Sequence, residues 1–453
     1  MAGGTLWDRK SAFFVVWGGQ LVSLVGSGLT AFAVSVWIYQ VTGSITKLAL
    51  VSFIGTTPSL VLLPFLGAMV DRWDLRRAMI FSELGAGFCT LCLAVLFFTG
   101  RHQLWQLYLL VALLRIFAAI QLPAYTAATT MLVPREHLGR ANGLIEMAEA
   151  AVPIISPTLA GVLIGYIKVQ GVALIDFATY LFAVLTLLMI RIPARLPTEQ
   201  PASHKTSLLS ETWNGFRYIN DRRGLLTLLL LFAAINFSLA FTVVLLTPLV
   251  LGFGSPAVLG TVLSMGGIGW LVGGTVMGAW GGPKRRIAGI LGFGALTGLF
   301  IALTGLRSSA TLISASIFAF HFCYTVVIVT DKALWQTKVA PVLQGRIFAL
   351  KGLINHVMAP LAFVIAGPLT DKVFRHLLIQ GGPLSGRLGW IFGTGESRGI
   401  GLLITLLGLL VIVSVAVASQ SRHLKFIEEE LPDTVPAGQA VRIFAHGHGH
   451  GHG

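Results

Sequence analysis

Twelve long apolar runs joined by short connections leave this chain one solvent to fold in. They cover roughly residues 12–40, 47–70, 78–99, 104–133, 141–167, 171–190, 225–250, 256–280, 287–306, 309–334, 347–370 and 399–419. A hydrocarbon core about 30 Å thick takes about 20 apolar residues of helix, and backbone groups inside it must be bonded within the segment. The sequence therefore predicts an all-α membrane protein of twelve transmembrane helices. Composition agrees, with 55% hydrophobic and 11% charged residues against about 25% charged in soluble domains. The 52 glycines and 18 prolines suit such a bundle, because neighbouring helices satisfy the backbone groups that these residues free. The fourth run requires tilt, or a bend at Pro123. The first exceeds the roughly 7 to 15 residues of a cleaved signal's apolar region and has no clear A-x-A exit, so it is expected to stay as a spanning helix.

The net charge of +14 raises the question of nucleic acid, which binds basic stripes through its phosphates. Here the basic residues sit in short clusters between apolar runs, without a continuous stripe or an aromatic-basic platform, and no nucleic-acid partner is expected. Those clusters set orientation instead. With a cytoplasmic N-terminus, 23 Lys and Arg fall on the cytoplasmic side, including Arg72, Arg76, Arg77, Arg285, Arg286, Lys338, Arg346 and Lys351, and 8 on the other. Only Arg115 is left inside a span. The expectation is a multi-pass protein of the plasma (inner) membrane with both termini cytoplasmic.

The longest cytoplasmic connection divides the chain into residues 1–190, a six-helix half; 191–224, a linker; 225–419, a second six-helix half; and 420–453, a tail. Leu208, Leu209, Trp213, Phe216 and Ile219 recur near helical spacing in the linker, which predicts an interfacial helix. The halves read as copies. Gly139-Arg140 matches Gly345-Arg346, and Ala160-Gly161 matches Ala366-Gly367, both at an offset of 206; Arg76-Arg77 recurs as Arg285-Arg286 at 209. This pattern favours a parallel repeat about a pseudo-two-fold axis along the membrane normal.

Between runs two and three stands "GAMVDRWDLRRAM", with Gly67, Asp71, Arg72, Arg76 and Arg77. It resembles the major facilitator superfamily signature G-x-x-x-D-(R/K)-x-G-(R/K)-(R/K). Asp74 replaces the family glycine and one residue is inserted before the basic pair, as in the branch resembling macrolide and enterobactin exporters. Physically, Gly67 allows close helix approach, and Asp71 suits the positive N-terminus of span eleven near Arg346, a clasp that would form in one conformation and break in another. Anchoring of a short turn explains the arginines but neither Gly67 nor Asp71. "SPTLAG" is similar to a fifth-span antiporter pattern, G-P-x-x-G-G, which makes Pro153, Pro157 and Gly161 a candidate helix-packing motif. "DKVFRHLL" and "SRGIGLLI" are similar to segments of the same exporter branch. The resemblance covers essentially the whole chain and implies the twelve-helix fold of that superfamily.

Charge inside a span costs at least about 2.5 to 3.5 kcal/mol unless paired or wet. Arg115 on span four, and Glu146 and Glu149 on span five, are placed to meet near mid-depth. Either they couple proton flow to helix movement, because pairing favours the charged carboxylate and desolvation the neutral one, or they form a permanent structural pair. Glu83 and Asp176 lie closer to run ends and are expected to be hydrated or capping; His321 and His356 are expected to be packed. The resemblance implies that spans one, four, seven and ten line a central cavity. Gln20, Ser27, Asn236, His321 and Tyr324 are then candidate substrate contacts, with polar glue between helices as the alternative.

Cys89 and Cys92 have C-x-x-C spacing, but buried thiols without a second ligand pair carry no redox or metal expectation. The alternating tail His446 to His452 can gather on a metal, yet lacks a folded frame, and no metal site is assigned. G-x-x-x-x-G-K-(S/T) and H-E-x-x-H are both absent, which argues against an ATP-driven pump and a metal-dependent hydrolase. The function expected is proton-coupled efflux of a hydrophobic or amphiphilic small molecule by alternating access, by a monomer in the lipid bilayer, with a proton gradient and no cofactor. An uptake permease and a non-transporting receptor of the same fold are the alternatives.

Overall fold

The computed structural model describes residues 9–70, 73–190, 192 and 216–425. Eleven of the described helices are long and apolar enough to cross a membrane. One of them, Leu138–Met189, is a 52-residue stretch broken at Lys168, whose φ of 56° and ψ of −174° interrupt the helix and make two spans of it. The twelve spans are α1 (Arg9–Thr42), α2 (Ile45–Val70), α3 (Leu75–Thr99), α4 (Leu104–Leu132), α5 (138–167), α6 (169–189), α7 (Arg223–Leu251), α8 (Pro256–Trp280), α9 (Arg286–Leu306), α10 (Ala310–Lys338), α11 (Pro341–Leu369) and α12 (Glu396–Gln420). Pro123 lies inside α4. Short helical segments follow α11, among them Ser385–Phe392. Of the expected interfacial helix, residues 216–220 are helical, while Leu208, Leu209 and Trp213 lie outside the described residues, as does the His446 to His452 tail.

Helix starts follow from local chemistry. Asp74 caps α3 by accepting from the Arg77 backbone N–H at 2.9 Å, so the residue that departs from the family glycine supplies the N-cap. Arg76 donates to the Leu187 and Leu188 carbonyls at 2.8 and 2.7 Å, tying the start of α3 to the end of α6. Arg286 does the corresponding work for α9 on a different helix, donating to Thr337 Oγ1 of α10 at 2.8 Å. In both cases a guanidinium satisfies groups at a helix C-terminus, where the last carbonyls lack intrahelical partners.

Packing repeats across the halves. The first half pairs α2 with α4, α3 with α4, and α1 and α3 with the α5–α6 stretch; the second pairs α8 with α10, α9 with α10, α9 with α12, and α7 with α11 and α12. The main contacts between halves, α5 with α8 and α2 with α11, exchange under the same two-fold operation. Two six-helix halves related by pseudo-two-fold symmetry are therefore the architecture.

The two faces of the bundle differ. We call the face on which α1 begins and α12 ends the near face, and the opposite one the far face. One apolar core joins both halves toward the far face, running from Leu29 and Ile38 of α1 to Phe232 and Leu245 of α7. A second core belongs to the first half alone and holds Phe13, Met79, Leu132 and Leu187, all at near-face helix ends. Among the described residues, the halves thus share their apolar interior toward the far face, while the near-face core of the first half holds residues of that half alone.

Candidate functional site

The far-face closure is built from two glycine crossings. A Cβ on Gly161 of α5 would stand 2.6 Å from the Pro256 carbonyl oxygen of α8, and one on Gly260 of α8 would strike the Pro157 carbonyl. Gly267 of α8 lies against Pro153 and Ile154. Pro153, Pro157 and Gly161 are thus placed along one helix contact, where small residues let backbones approach. Ser264 of α8 donates to the Ile154 carbonyl and accepts from Thr158 Oγ1 at 2.7 Å. In the other crossing, Gly367 of α11 abuts the Thr46 backbone in the first turn of α2. Gly161 and Gly367, matched at the repeat offset, occupy corresponding crossings.

Only the second crossing carries a carboxylate. Asp371, just beyond α11, accepts from Ser44 Oγ at 3.0 Å, the Ile45 and Thr46 backbone N–H groups at 3.2 and 2.9 Å, and Thr46 Oγ1 at 2.8 Å. An acid of one half therefore caps the N-terminus of a helix of the other, where the dipole and orphan N–H groups favour an anion. Arg375 backs it, donating to the Gly43 carbonyl at 2.7 Å and pairing with Glu396. Hydrogen bonds between the halves occur at this crossing and at Ser264.

Beneath the closure is a cavity of about 300 Å³ between α1, α2, α5, α7 and α8. Phe32, Val244 and Leu263 give it apolar walls, and Ser35, Ser52 and Thr247 supply hydroxyls. Its size is at the lower end for ligand sites, and few polar groups on apolar walls suit orientation of an amphiphile. None of the five expected substrate contacts lines it.

Those five divide between the halves. Gln20 and Ser27 line a smaller cavity of about 120 Å³ inside the first half, together with Glu83, Gln121, Glu149 and Tyr180. In the second half Tyr324 donates to Asn236 Oδ1 at 2.8 Å, linking α10 to α7, and Asn236 also donates to the Phe232 carbonyl. His321 bonds the Ile317 carbonyl at 2.9 Å, and the Trp270 ring lies 5.8 Å from that of Tyr324.

The charged residues hold several corrections. Arg115 and Glu149 do not pair among the described residues: the Arg115 Nε stands 3.8 Å from a Cβ on Gly55 of α2, while Glu149 borders the small cavity with Gln20 and Tyr125. Equal depth does not bring them together, since α5 packs mainly on α1 and α8 and barely on α4. Glu146 and Glu149 are both exposed, one turn apart on α5. Glu83 and Asp176, expected to be hydrated or capping, are 3% and 1% exposed. Glu83 accepts from Gln20 Nε2 at 2.9 Å, Ser23 Oγ at 3.0 Å and Gln121 Nε2 at 2.8 Å. The span starts explain the difference, because α3 begins at Leu75, three residues before the apolar run, which sets Glu83 about 12 Å deep at 1.5 Å per residue.

Lys351, counted with the cytoplasmic connections, lies inside α11 and pairs with Asp331 of α10, which also accepts from Trp335 Nε1 at 2.8 Å. The ammonium stands 4.9 Å from the Trp335 ring centroid. Sequence reasoning missed this pair, although both residues fall within their apolar runs. Of the signature between α2 and α3, Gly67 lies on α2, Arg76 and Arg77 open α3, and Asp71, Arg72 and the Arg346 side chain lie outside the described residues. No group of three or more metal-ligating side chains occurs among the described residues.

Known proteins share this arrangement. The model of the Major Facilitator Superfamily matches residues 16–363. Macrolide efflux protein A of Streptococcus pyogenes is 26% identical over 386 residues, covering 83% of this chain and 93% of that one. The enterobactin exporter EntS of Shigella boydii is 31% identical over 219 residues, 48% of this chain and 50% of that one. Among solved structures, a bacterial homologue of the human lysosomal transporter Spinster, inward-facing and unoccupied, superposes with a TM-score of 0.69 at 13% identity, covering 96% of this chain and 100% of that one. The nucleoside transporter NupG gives 0.66 at 10% identity, over 90% and 99%. With a family match across most of its length and twelve spans in two symmetric halves, the chain belongs to the major facilitator superfamily of membrane transporters.

Proposed function

We propose that this protein is a proton-coupled exporter of hydrophobic or amphiphilic small molecules, working by alternating access in the cell membrane. The observation that carries the reading is the asymmetry between faces: the halves share a core and a carboxylate cap at the far face, and separate beneath it around a mostly apolar cavity. On the reading that the face richer in Lys and Arg is the cytoplasmic one, the far-face closure faces outward. Breaking the Asp371 cap and closing the near face would deliver a bound amphiphile outward. The macrolide and enterobactin exporters among its relatives support export of a bulky amphiphile. Glu149, exposed beside the first half's smaller cavity, is a proton donor and acceptor open to water.

The test is transport by the reconstituted full chain in liposomes under an imposed proton gradient, following erythromycin and a set of cationic dyes together with internal pH. Gradient-dependent movement of a compound, with matching proton movement in the opposite direction, is expected. A compound that binds while neither it nor protons cross at any gradient would overturn the reading.

A further inference from the structure

We infer that Glu83 is the proton-carrying carboxyl of the first half, the group that is loaded and unloaded as the transporter cycles. The inference rests on the proton-coupled reading above and names the residue that serves it. Glu83 is 3% exposed and has no ion pair among the described residues. An isolated buried carboxylate is costly unless it takes a proton or finds a cation.

Its partners are suited to both forms. Gln20 and Gln121 each carry a carbonyl acceptor and an NH₂ donor, and Ser23 can donate or accept. With the carboxylate charged, Gln20, Ser23 and Gln121 all donate to it. Gln121 also donates to Gln20 Oε1 at 2.8 Å and accepts from Ser82. With the carboxyl protonated on Oε2, the Ser23 hydroxyl turns its hydrogen away and accepts from the new O–H, while the amide bonds of Gln20 and Gln121 stay in place. No lysine or arginine, which donate only, is involved. The proton therefore reverses the bond between α1 and α3 at Ser23 and leaves the amide bonds to α4 as they are.

A route exists as well. Glu83 borders the 120 Å³ cavity, which is roomy enough for several waters, and Glu149 of α5 stands at the same cavity while exposed. The other ionisable groups facing this site are Tyr125 of α4, which shares the cavity, and Tyr180 and Asp176 of α6. Arg115 of α4 faces Tyr180. Tyr180 bonds Ser27 at 2.8 Å and is not a cation that could lock Glu83 in its charged form. The step moves one proton from water at the cavity, by way of Glu149, to a Glu83 carboxylate oxygen, and returns it when the halves rock.

The experiment uses the reconstituted full chain, wild type and Glu83→Gln, with erythromycin as probe. Infrared difference spectra between about pH 5 and about pH 9 bracket ordinary and perturbed carboxyl groups. The protonated-carboxyl C=O signal of wild type should be reduced in Glu83→Gln. Erythromycin exchange across vesicles without a gradient should persist in that variant, while gradient-driven accumulation falls at least about tenfold. Glu149→Gln should keep the infrared signal of Glu83, which separates the two acids and controls for folding. If Glu83→Gln leaves the spectrum unchanged, or accumulates erythromycin as wild type does, Glu83 is not the carrier and coupling itself stands. If wild type shows no gradient-driven movement, the coupling reading fails, and the infrared signal still decides whether Glu83 exchanges a proton.

Discussion

Glu83 in the first half, which also buries Asp176, and Asp331 in the second are carboxyls set deep among the helices, and these two are held in opposite ways. Asp331 in the second half meets the Lys351 ammonium and the Trp335 indole N–H, all of them donors. Glu83 in the first half meets amides and hydroxyls that can donate or accept. A donor-only cage satisfies a carboxylate and fails a carboxylic acid; a mixed cage serves both. The difference teaches that a buried acid is made a fixed strut or a switch by the kind of partner it has, not by its depth. A further acid, Asp371, belongs to neither interior and joins the halves.

The largest effect that tests this contrast is Lys351→Met. Removing the cation strands Asp331, and a broken buried pair costs about 3 to 5 kcal/mol. Thermal unfolding of the purified protein, followed by tryptophan fluorescence, should show a large drop, and Asp331→Asn combined with Lys351→Met should recover most of it. Equal melting of the single and double variants would break the contrast. Next is Asp371→Asn, which removes charge-assisted bonds to the α2 N-terminus. A loss of about 1 to 3 kcal/mol from the far-face-closed state shifts its population about 5- to 150-fold. Spin-label distances between positions 47 and 387 should lengthen, and an unchanged distribution would remove Asp371 from the closure.

A smaller effect is expected at Lys168. The chain turns from α5 to α6 there with a positive φ on a side-chain-bearing residue, whereas the connection from α11 to α12 gives its positive φ values to Gly381, Gly393 and Gly395. Lys168→Gly should relieve backbone strain of about 1 kcal/mol and raise the melting temperature slightly; a lower one would contradict the strain. The smallest stability effect belongs to Glu83→Gln, expected within about 0.5 kcal/mol of wild type because glutamine joins the mixed cage without a charge. A melting drop as large as that of Lys351→Met would make Glu83 a strut as well.

The fold was legible because bilayer thickness turns run length into span count, and the gap between runs five and six falls where Lys168 breaks the helix. Gly161 and Gly367 were legible as a repeat pair, although their use at the two crossings required the helix positions. Partnerships among polar residues were not legible. Run lengths give depth, while Arg115 and Glu149 miss each other through helix rotation and through α5 packing on α1. Glu83 was misjudged because the polar first turn of α3, capped by Asp74, lies outside the apolar run. The Asp331–Lys351 pair escaped because Lys351 was counted with the loops.

The Asp371 cap distributes its genetic requirements unequally. Two of its donors, the N–H groups of Ile45 and Thr46, are main-chain atoms that every residue except proline provides. On the first half, sequence drift at those positions leaves the cap's main-chain donors in place, so long as the turn stays helical. On the second half, the specification rests on the single carboxylate of residue 371. A one-codon change there would remove every bond of the cap at once, whereas a change at Ser44 or Thr46 removes only that residue's hydroxyl donor.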